Sequence, residues 1–173
     1  MESPTEGNRL ERKTRKEDSV KQLEMVGLAR GMRILDCGCG TGAVSRVMAE
    51  FVGPKGHVLG IDRSEDRLAQ AKRLAEGAGR HLEFKQRSLD LPPDDSEKES
   101  FDVVWSRFVF EYLPSPEKTM ANLLSYLKPG GTLVIGDLDC NGVIHYPASP
   151  ALEEGLGHLV SSLEGLYDPY TGR

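Results

Sequence analysis

Short apolar runs alternate with amphipathic stretches along most of the chain. Apolar runs predict five strands, over residues 32–36, 57–62, 82–86, 101–105 and 132–137. Apolar positions at helical spacing predict helices near residues 20–28 and over 43–52, 64–77, 117–127 and 151–166. This alternation predicts an α/β fold: a doubly wound, Rossmann-like sheet of at least five parallel strands, in the order 3-2-1-4-5, with helices on both faces.

The two ends of the chain differ from this pattern. Residues 1–18 are polar and rich in charge, so we expect a mobile N-terminal arm there and a folded core over residues 19–173. The core has the length of a single domain.

Composition narrows the set of partners. The net charge is −5 and no basic cluster dominates, so neither nucleic acid nor an acidic membrane is an expected partner. The first 20 residues lack the apolar stretch of a signal peptide. Cys37, Cys39 and Cys140 do not form a disulfide framework, and Cys37 and Cys39 lack the further ligands that a metal site needs. We therefore expect a reduced, cytoplasmic protein without a metal.

The turn after the first strand is the candidate ligand site. Gly38, Gly40 and Gly42 carry no side chains, so the backbone can approach a ligand closely at the carboxyl end of the sheet. Asp62 ends the second strand, where its carboxylate can accept hydrogen bonds from a ribose. These features are common to enzymes that use NAD and to enzymes that use S-adenosylmethionine (SAM).

Asp36 distinguishes the two cofactors. This carboxylate precedes the glycine turn, where a dinucleotide would place its anionic pyrophosphate. Two like charges 4 Å apart repel by about 4 kcal/mol at an effective dielectric constant near 20. SAM carries an ammonium and a sulfonium instead, and a carboxylate attracts both. The sign of this interaction favours SAM.

Four motifs resemble those of class I SAM-dependent methyltransferases. Residues 34–42 (ILDCGCGTG) are similar to the first motif, D-x-G-x-G-x-G after an apolar strand, and residues 60–64 (GIDRS) are similar to the second. Residues 101–104 (FDVV) and 127–133 (LKPGGTL) resemble the segments around strands four and five. The likeness covers roughly residues 20–140 and implies that SAM is the cofactor.

The resemblance also implies the roles of individual residues. The methionine part of SAM would contact Asp36, Cys37, Gly38, Cys39, Gly40 and Gly42. Asp62 would hold the ribose, and Arg63 would flank the adenine. The family's acidic residue near the adenine amine corresponds to Ser88 or to Asp90, depending on the end from which residues are counted, and Leu89 lies between them. Ser106 and Arg107 would follow strand four and line the floor near the transferred methyl.

Catalysis requires the acceptor atom about 3–3.5 Å from the methyl carbon, and some acceptors also need a base. Candidate bases near the strand ends are Glu111, Tyr112 and His145; the family often has a histidine at the position of Tyr112. A solvated loop acid is the commoner interpretation of a residue such as Glu111, and an ordinary surface histidine is the default interpretation of His145. Trp105, Phe108 and Phe110 fit either a substrate pocket or the core.

The resemblance implies methyl transfer, and the Phe and Trp residues without a strong charge bias favour a small organic acceptor. An NAD(P)-dependent oxidoreductase and a non-catalytic SAM-binding module are the competing interpretations. Relatives usually add two more strands after the fifth, so we expect this chain to be a fragment of a longer protein. An open edge at strand five would then be available for pairing with a second copy as a homodimer.

Overall fold

The computed structural model describes residues 11–12, 14–137 and 149–162. The strands are β1 (Arg33–Cys37), β2 (His57–Asp62), β3 (Leu82–Gln86), β4 (Phe101–Arg107) and β5 (Leu127–Gly136). The α-helices are α1 (Lys16–Met25), α2 (Ala43–Val52), α3 (Glu65–Leu74), α4 (Pro116–Leu124) and α5 (Pro150–Ser162), and a 3₁₀ helix spans Phe110–Tyr112.

The five strands form one parallel sheet in the order β3-β2-β1-β4-β5. The predicted fold class and strand order are therefore confirmed. The order reverses direction between β1 and β4, so the carboxyl ends of these two strands border the crevice where such sheets bind ligands.

Neighbouring residues of each strand face opposite sides of the sheet, which separates two apolar cores. Ile34 of β1 packs in the core beneath α1 and α2, together with Leu23 and Met48. Leu35, the next residue, packs in the core beneath α4, together with Leu123. The strands are apolar on both sides because helices cover both faces of the sheet.

Several element boundaries differ from the sequence-based expectation. Helix α1 begins at Lys16, inside the expected arm, because its charged residues lie on the exposed face while Leu23 is buried. β4 continues through Arg107. Helix α4 ends at Leu124, and Leu127 already pairs with Phe101 in the sheet, so the expectation that the helix reaches Leu127 is wrong.

β5 is the outermost strand of the sheet within the described residues, with β4 as its neighbour. Helix α5 buries none of its residues. No helix in the described part of the chain is both long enough and apolar enough to cross a membrane.

Candidate functional site

The turn between β1 and α2 needs glycine at three positions. Gly38, Gly40 and Gly42 have φ of 73°, 55° and 72°, in the left-handed region that side chains disfavour. A Cβ at Gly42 would lie 2.6 Å from Cζ of Phe84. The N–H groups of Gly38 and Cys39 donate to the carbonyl oxygen of Ile61, at 2.8 and 3.0 Å, which holds the turn against the end of β2.

Asp62 joins the glycine turn to the start of α3. One carboxylate oxygen accepts the Gly40 N–H at 2.8 Å, and the other accepts the Ser64 N–H at 2.9 Å. The Asp62 side chain is buried. Each oxygen keeps a further lone pair, so Asp62 can still accept hydrogen bonds from ligand hydroxyls.

Asp36 lies behind the turn and not at an open strand tip. It is 4% exposed, and the Ser45 hydroxyl of α2 donates to its carboxylate at 2.5 Å. Burial raises the pKa of Asp36 to about 6, while the Ser45 hydrogen bond and the charge of Arg107 act in the opposite direction. Asp36 is therefore mostly ionised at neutral pH and places negative charge beneath the turn.

Cys37 and Cys39 carry unreactive thiols. Burial raises the pKa of both thiols, so both remain protonated. The Cys37 side chain packs in the core beneath α4, on the far side of the sheet from α2.

Ser88 and Asp90, the two candidates for the residue near the adenine amine, lie next to each other. The Ser88 hydroxyl donates to the Asp90 carboxylate at 3.1 Å. The Leu89 side chain packs against the core beneath α4, and its carbonyl oxygen accepts a hydrogen bond from the Asn122 amide at 2.9 Å. Arg63 is exposed just beyond β2. Ser88 and Asp90 therefore form a single polar edge after β3.

Ser106 and Arg107 are the last residues of β4, so the expectation that they follow the strand is wrong. The Ser106 side chain is fully buried. The Arg107 guanidinium donates to the Gln22 amide oxygen at 3.3 Å and to the Thr14 hydroxyl at 3.5 Å. Burial lowers the pKa of Arg107, and the charge of Asp36 opposes that change. Arg107 thus connects the floor of the site to the N-terminal segment.

The candidate bases have different surroundings. Glu111 is 4% exposed, so its interpretation as a solvated loop acid is wrong, whereas Tyr112 is 40% exposed. His145 lies outside the described residues. Trp105 and Phe110 belong to the two cores, and Phe108 is exposed.

Asp137, which directly follows β5, is not among the site residues that the sequence predicted. Its carboxylate accepts the Phe110 N–H at 3.1 Å and so holds the 3₁₀ helix that carries Glu111. Burial raises the pKa of Asp137 to about 6, and the charge of Glu111 adds to the increase. The position could have been found from the sequence, because carboxyl ends of parallel strands lie at one edge of the sheet.

Glu11 was missed as well, and no local signal indicated it. Its carboxylate accepts a hydrogen bond from the Thr41 hydroxyl and pairs with the Arg46 guanidinium, each at 2.6 Å. The sequence analysis placed Glu11 in a mobile arm. Nothing in the pattern of polar and apolar residues relates position 11 to position 46.

A cavity of about 520 Å³ lies at the opposite end of the sheet from the glycine turn. Arg33 and His57, which begin β1 and β2, line it together with Phe101, the first residue of β4. The cavity is therefore separate from the crevice formed by the carboxyl ends of the strands.

Comparison with known proteins identifies the family. Residues 28–164 match a family described as a methyltransferase domain. This chain belongs to that family. The relationship that the motifs indicated is therefore confirmed.

Three similar proteins place this methyltransferase domain among its relatives. The demethylmenaquinone methyltransferase of Lactococcus lactis is 39% identical over 117 residues, which are 66% of this chain and 45% of the relative. The ubiquinone biosynthesis O-methyltransferase of Coxiella burnetii is 27% identical over 122 residues, 70% of this chain and 50% of the relative. A SAM-dependent methyltransferase from Aquifex aeolicus superimposes with a TM-score of 0.73 at 25% identity, covering 95% of this chain and 89% of the other.

The matched region spans about half the length of these two curated relatives. Residues 28–164, which match the family, contain the glycine turn, Asp62 and β4, all of which border the crevice of this methyltransferase domain.

Proposed function

We propose that this chain transfers a methyl group from SAM to a small organic acceptor. The observation that carries the proposal is the buried carboxylate of Asp36 beneath a turn that contains three glycines. Negative charge at this place repels a pyrophosphate and attracts the ammonium and sulfonium of SAM. The relationship to methyltransferases supports the same cofactor, and no comparison supports an NAD(P)-dependent oxidoreductase.

The residues around the turn fit the parts of SAM. Asp62 would accept hydrogen bonds from the ribose hydroxyls, and Ser88 with Asp90 would border the adenine. The glycine turn would lie against the methionine part, because a backbone without side chains permits close approach. Bound SAM supplies an activated methyl group on its sulfonium. The chain's task is to orient the two reactants and to exclude water.

We further propose a hydroxylated aromatic ring as the acceptor. The names of the two curated relatives, a demethylmenaquinone methyltransferase and a ubiquinone biosynthesis O-methyltransferase, support this class. Exposed Phe108 and Tyr112, beyond the end of β4, offer aromatic surface to such a ring. The Glu111 carboxylate, held on the 3₁₀ helix by Asp137, is the candidate base for a ring hydroxyl.

Calorimetric titration with SAM, with its demethylated product and with NAD tests the cofactor. We expect both sulfur compounds to bind and NAD not to bind; the reverse result would refute the proposal.

Asp62→Asn should weaken SAM binding by roughly 1.5–3 kcal/mol, the usual contribution of a hydrogen bond to a charged group. Asp62→Ala is less informative, because it leaves both the Gly40 and the Ser64 N–H groups unpaired, whereas the Asn amide oxygen can still accept one of them. Exposed Asp66→Asn is the matched control.

Turnover with a panel of quinols and simpler phenols tests the reaction. Methyl transfer to a ring hydroxyl or ring carbon supports the proposal, and Glu111→Gln should lower kcat while SAM affinity is retained. SAM binding without turnover on any acceptor would favour the non-catalytic SAM-binding module.

A further inference from the structure

The segment that precedes α1 brings a carboxylate to the glycine turn. Glu11 accepts a hydrogen bond from the Thr41 hydroxyl at 2.6 Å and pairs with the Arg46 guanidinium at 2.6 Å. Arg46 also donates to the carbonyl oxygen of Thr41 at 2.9 Å, so its guanidinium is fixed beside the turn. The side chains of Arg46 and Glu11 are only 22% and 27% exposed, which makes this ion pair partly desolvated.

Thr41 and Arg46 therefore already bind a carboxylate, through a hydroxyl donor and a guanidinium. Such charge-assisted hydrogen bonds are stronger than hydrogen bonds between neutral groups. Two further carboxylates, Asp36 and Asp62, lie at the same turn and are buried. The carboxylate of Glu11 is therefore a third negative charge at this turn, and Arg46 stabilises it. Any other carboxylate at this place would need the same two donors, the Thr41 hydroxyl and the Arg46 guanidinium.

The amino acid part of SAM carries such a carboxylate. Our proposed function, on which this inference rests, places that part against the turn containing Thr41. We propose that Thr41 and Arg46 form a carboxylate subsite, which Glu11 occupies in the ligand-free chain and which the SAM carboxylate takes by displacing Glu11. Glu11 is then a built-in competitor for the cofactor.

The remaining contacts of this segment permit its displacement. Thr14 and Gln22 meet Arg107 through uncharged groups, at 3.5 and 3.3 Å, near the upper limit for hydrogen bonds. Loss of the Glu11 pair therefore removes a strong anchor of residues 11 and 12 while α1 stays packed through Leu23.

Competition between Glu11 and the SAM carboxylate predicts the direction in which SAM affinity changes when either partner of the ion pair is replaced. A ligand whose site is open only part of the time binds with an apparent affinity reduced by that fraction. Glu11→Gln removes the competing charge, so SAM should bind about three- to fivefold more tightly, the range expected for a partly desolvated ion pair. Arg46→Gln removes the subsite itself and should weaken SAM binding by a similar or larger factor.

A second ligand isolates the carboxylate. 5′-Methylthioadenosine has the adenine, the ribose and the sulfur of SAM but lacks the amino acid part. We expect its affinity to be the same for the wild-type chain, Glu11→Gln and Arg46→Gln. Glu17→Gln, which removes an exposed acid from the first turn of α1, is the matched control and should change neither affinity.

Calorimetry with the two ligands on these four proteins decides the matter. Tighter SAM binding by Glu11→Gln, with 5′-methylthioadenosine unchanged, supports the subsite. Two results would overturn the subsite: unchanged or weaker SAM binding by Glu11→Gln, or an equal change in affinity for both ligands. Either result leaves the proposed function intact. If SAM binds to neither the wild-type chain nor Glu11→Gln, the proposed function fails together with this inference.

Discussion

At the residue scale, Gly42 is a position in the turn with little freedom to change. Its φ is 72°, and an added Cβ would lie 2.6 Å from Cζ of Phe84 and 3.2 Å from Cβ of Ala71. Gly42→Ala should lower the free energy of unfolding by about 2–4 kcal/mol, because backbone strain and overpacking both act against the folded state. Denaturant unfolding measures the change.

Gly155→Ala is the matched control for Gly42→Ala. Gly155 lies inside α5, and nothing lies within 4 Å of an added Cβ. The same substitution should therefore be neutral or stabilise the helix by about 0.5–1 kcal/mol. Equal effects at the two positions would contradict the steric account of the turn.

At the scale of elements, the connection from β3 to β4 is irregular and is held by charge. The Arg87 guanidinium pairs with Asp94 at 2.7 Å and with Glu97, and its Cζ lies 5.9 Å from the ring centre of Tyr126. The Arg87 side chain is only 10% exposed. Because the same connection carries Ser88 and Asp90, its anchoring also positions the candidate adenine site.

Arg87→Gln should therefore destabilise the chain by about 2 kcal/mol, between the values for surface and buried ion pairs. It should also weaken SAM binding, since Ser88 and Asp90 lose their support. Lys98→Gln removes an exposed pair with Asp95 in the same connection and should have no measurable effect. Chemical denaturation of both variants measures the contrast, and a stable Arg87→Gln protein would disprove the anchoring role.

At the scale of the whole molecule, two acids with raised pKa values, buried Asp36 and partly buried Asp137, make stability depend on pH. Burial raises the pKa of Asp36 and of Asp137 from 3.8 to about 6, so the folded chain binds protons more tightly than the unfolded chain. Each acid therefore increases the free energy of unfolding as pH falls through 6. His57 acts in the opposite direction, because burial lowers its pKa.

Asp36→Asn isolates the contribution of one acid. Between about pH 7 and about pH 5, Asp36 should add about 1 kcal/mol to the stability of the wild-type chain, and the variant should lack this gain. The contribution of His57 cancels in the comparison. Denaturation at the two pH values measures the difference in the free energy of unfolding. If this free energy changes equally with pH in both proteins, burial does not raise the pKa of Asp36.

The sequence by itself determined the order of elements and the place of the candidate site. The apolar strand before Asp36 and the glycines after it are local features, and a local pattern can be recognised without knowing the fold. The polar residues at the start of α1 misled the same reasoning, because a helix with one buried side can have an exposed face made wholly of charged residues.

Only the tertiary structure decided how the charges are arranged. It buried Asp36 against Ser45, it buried Glu111 on the 3₁₀ helix after β4, and it brought Glu11 to Arg46. The physical reason is that burial and pairing depend on groups far apart in the chain. A carboxylate's pKa and its partner follow from what surrounds it in space, which the pattern along the chain does not contain.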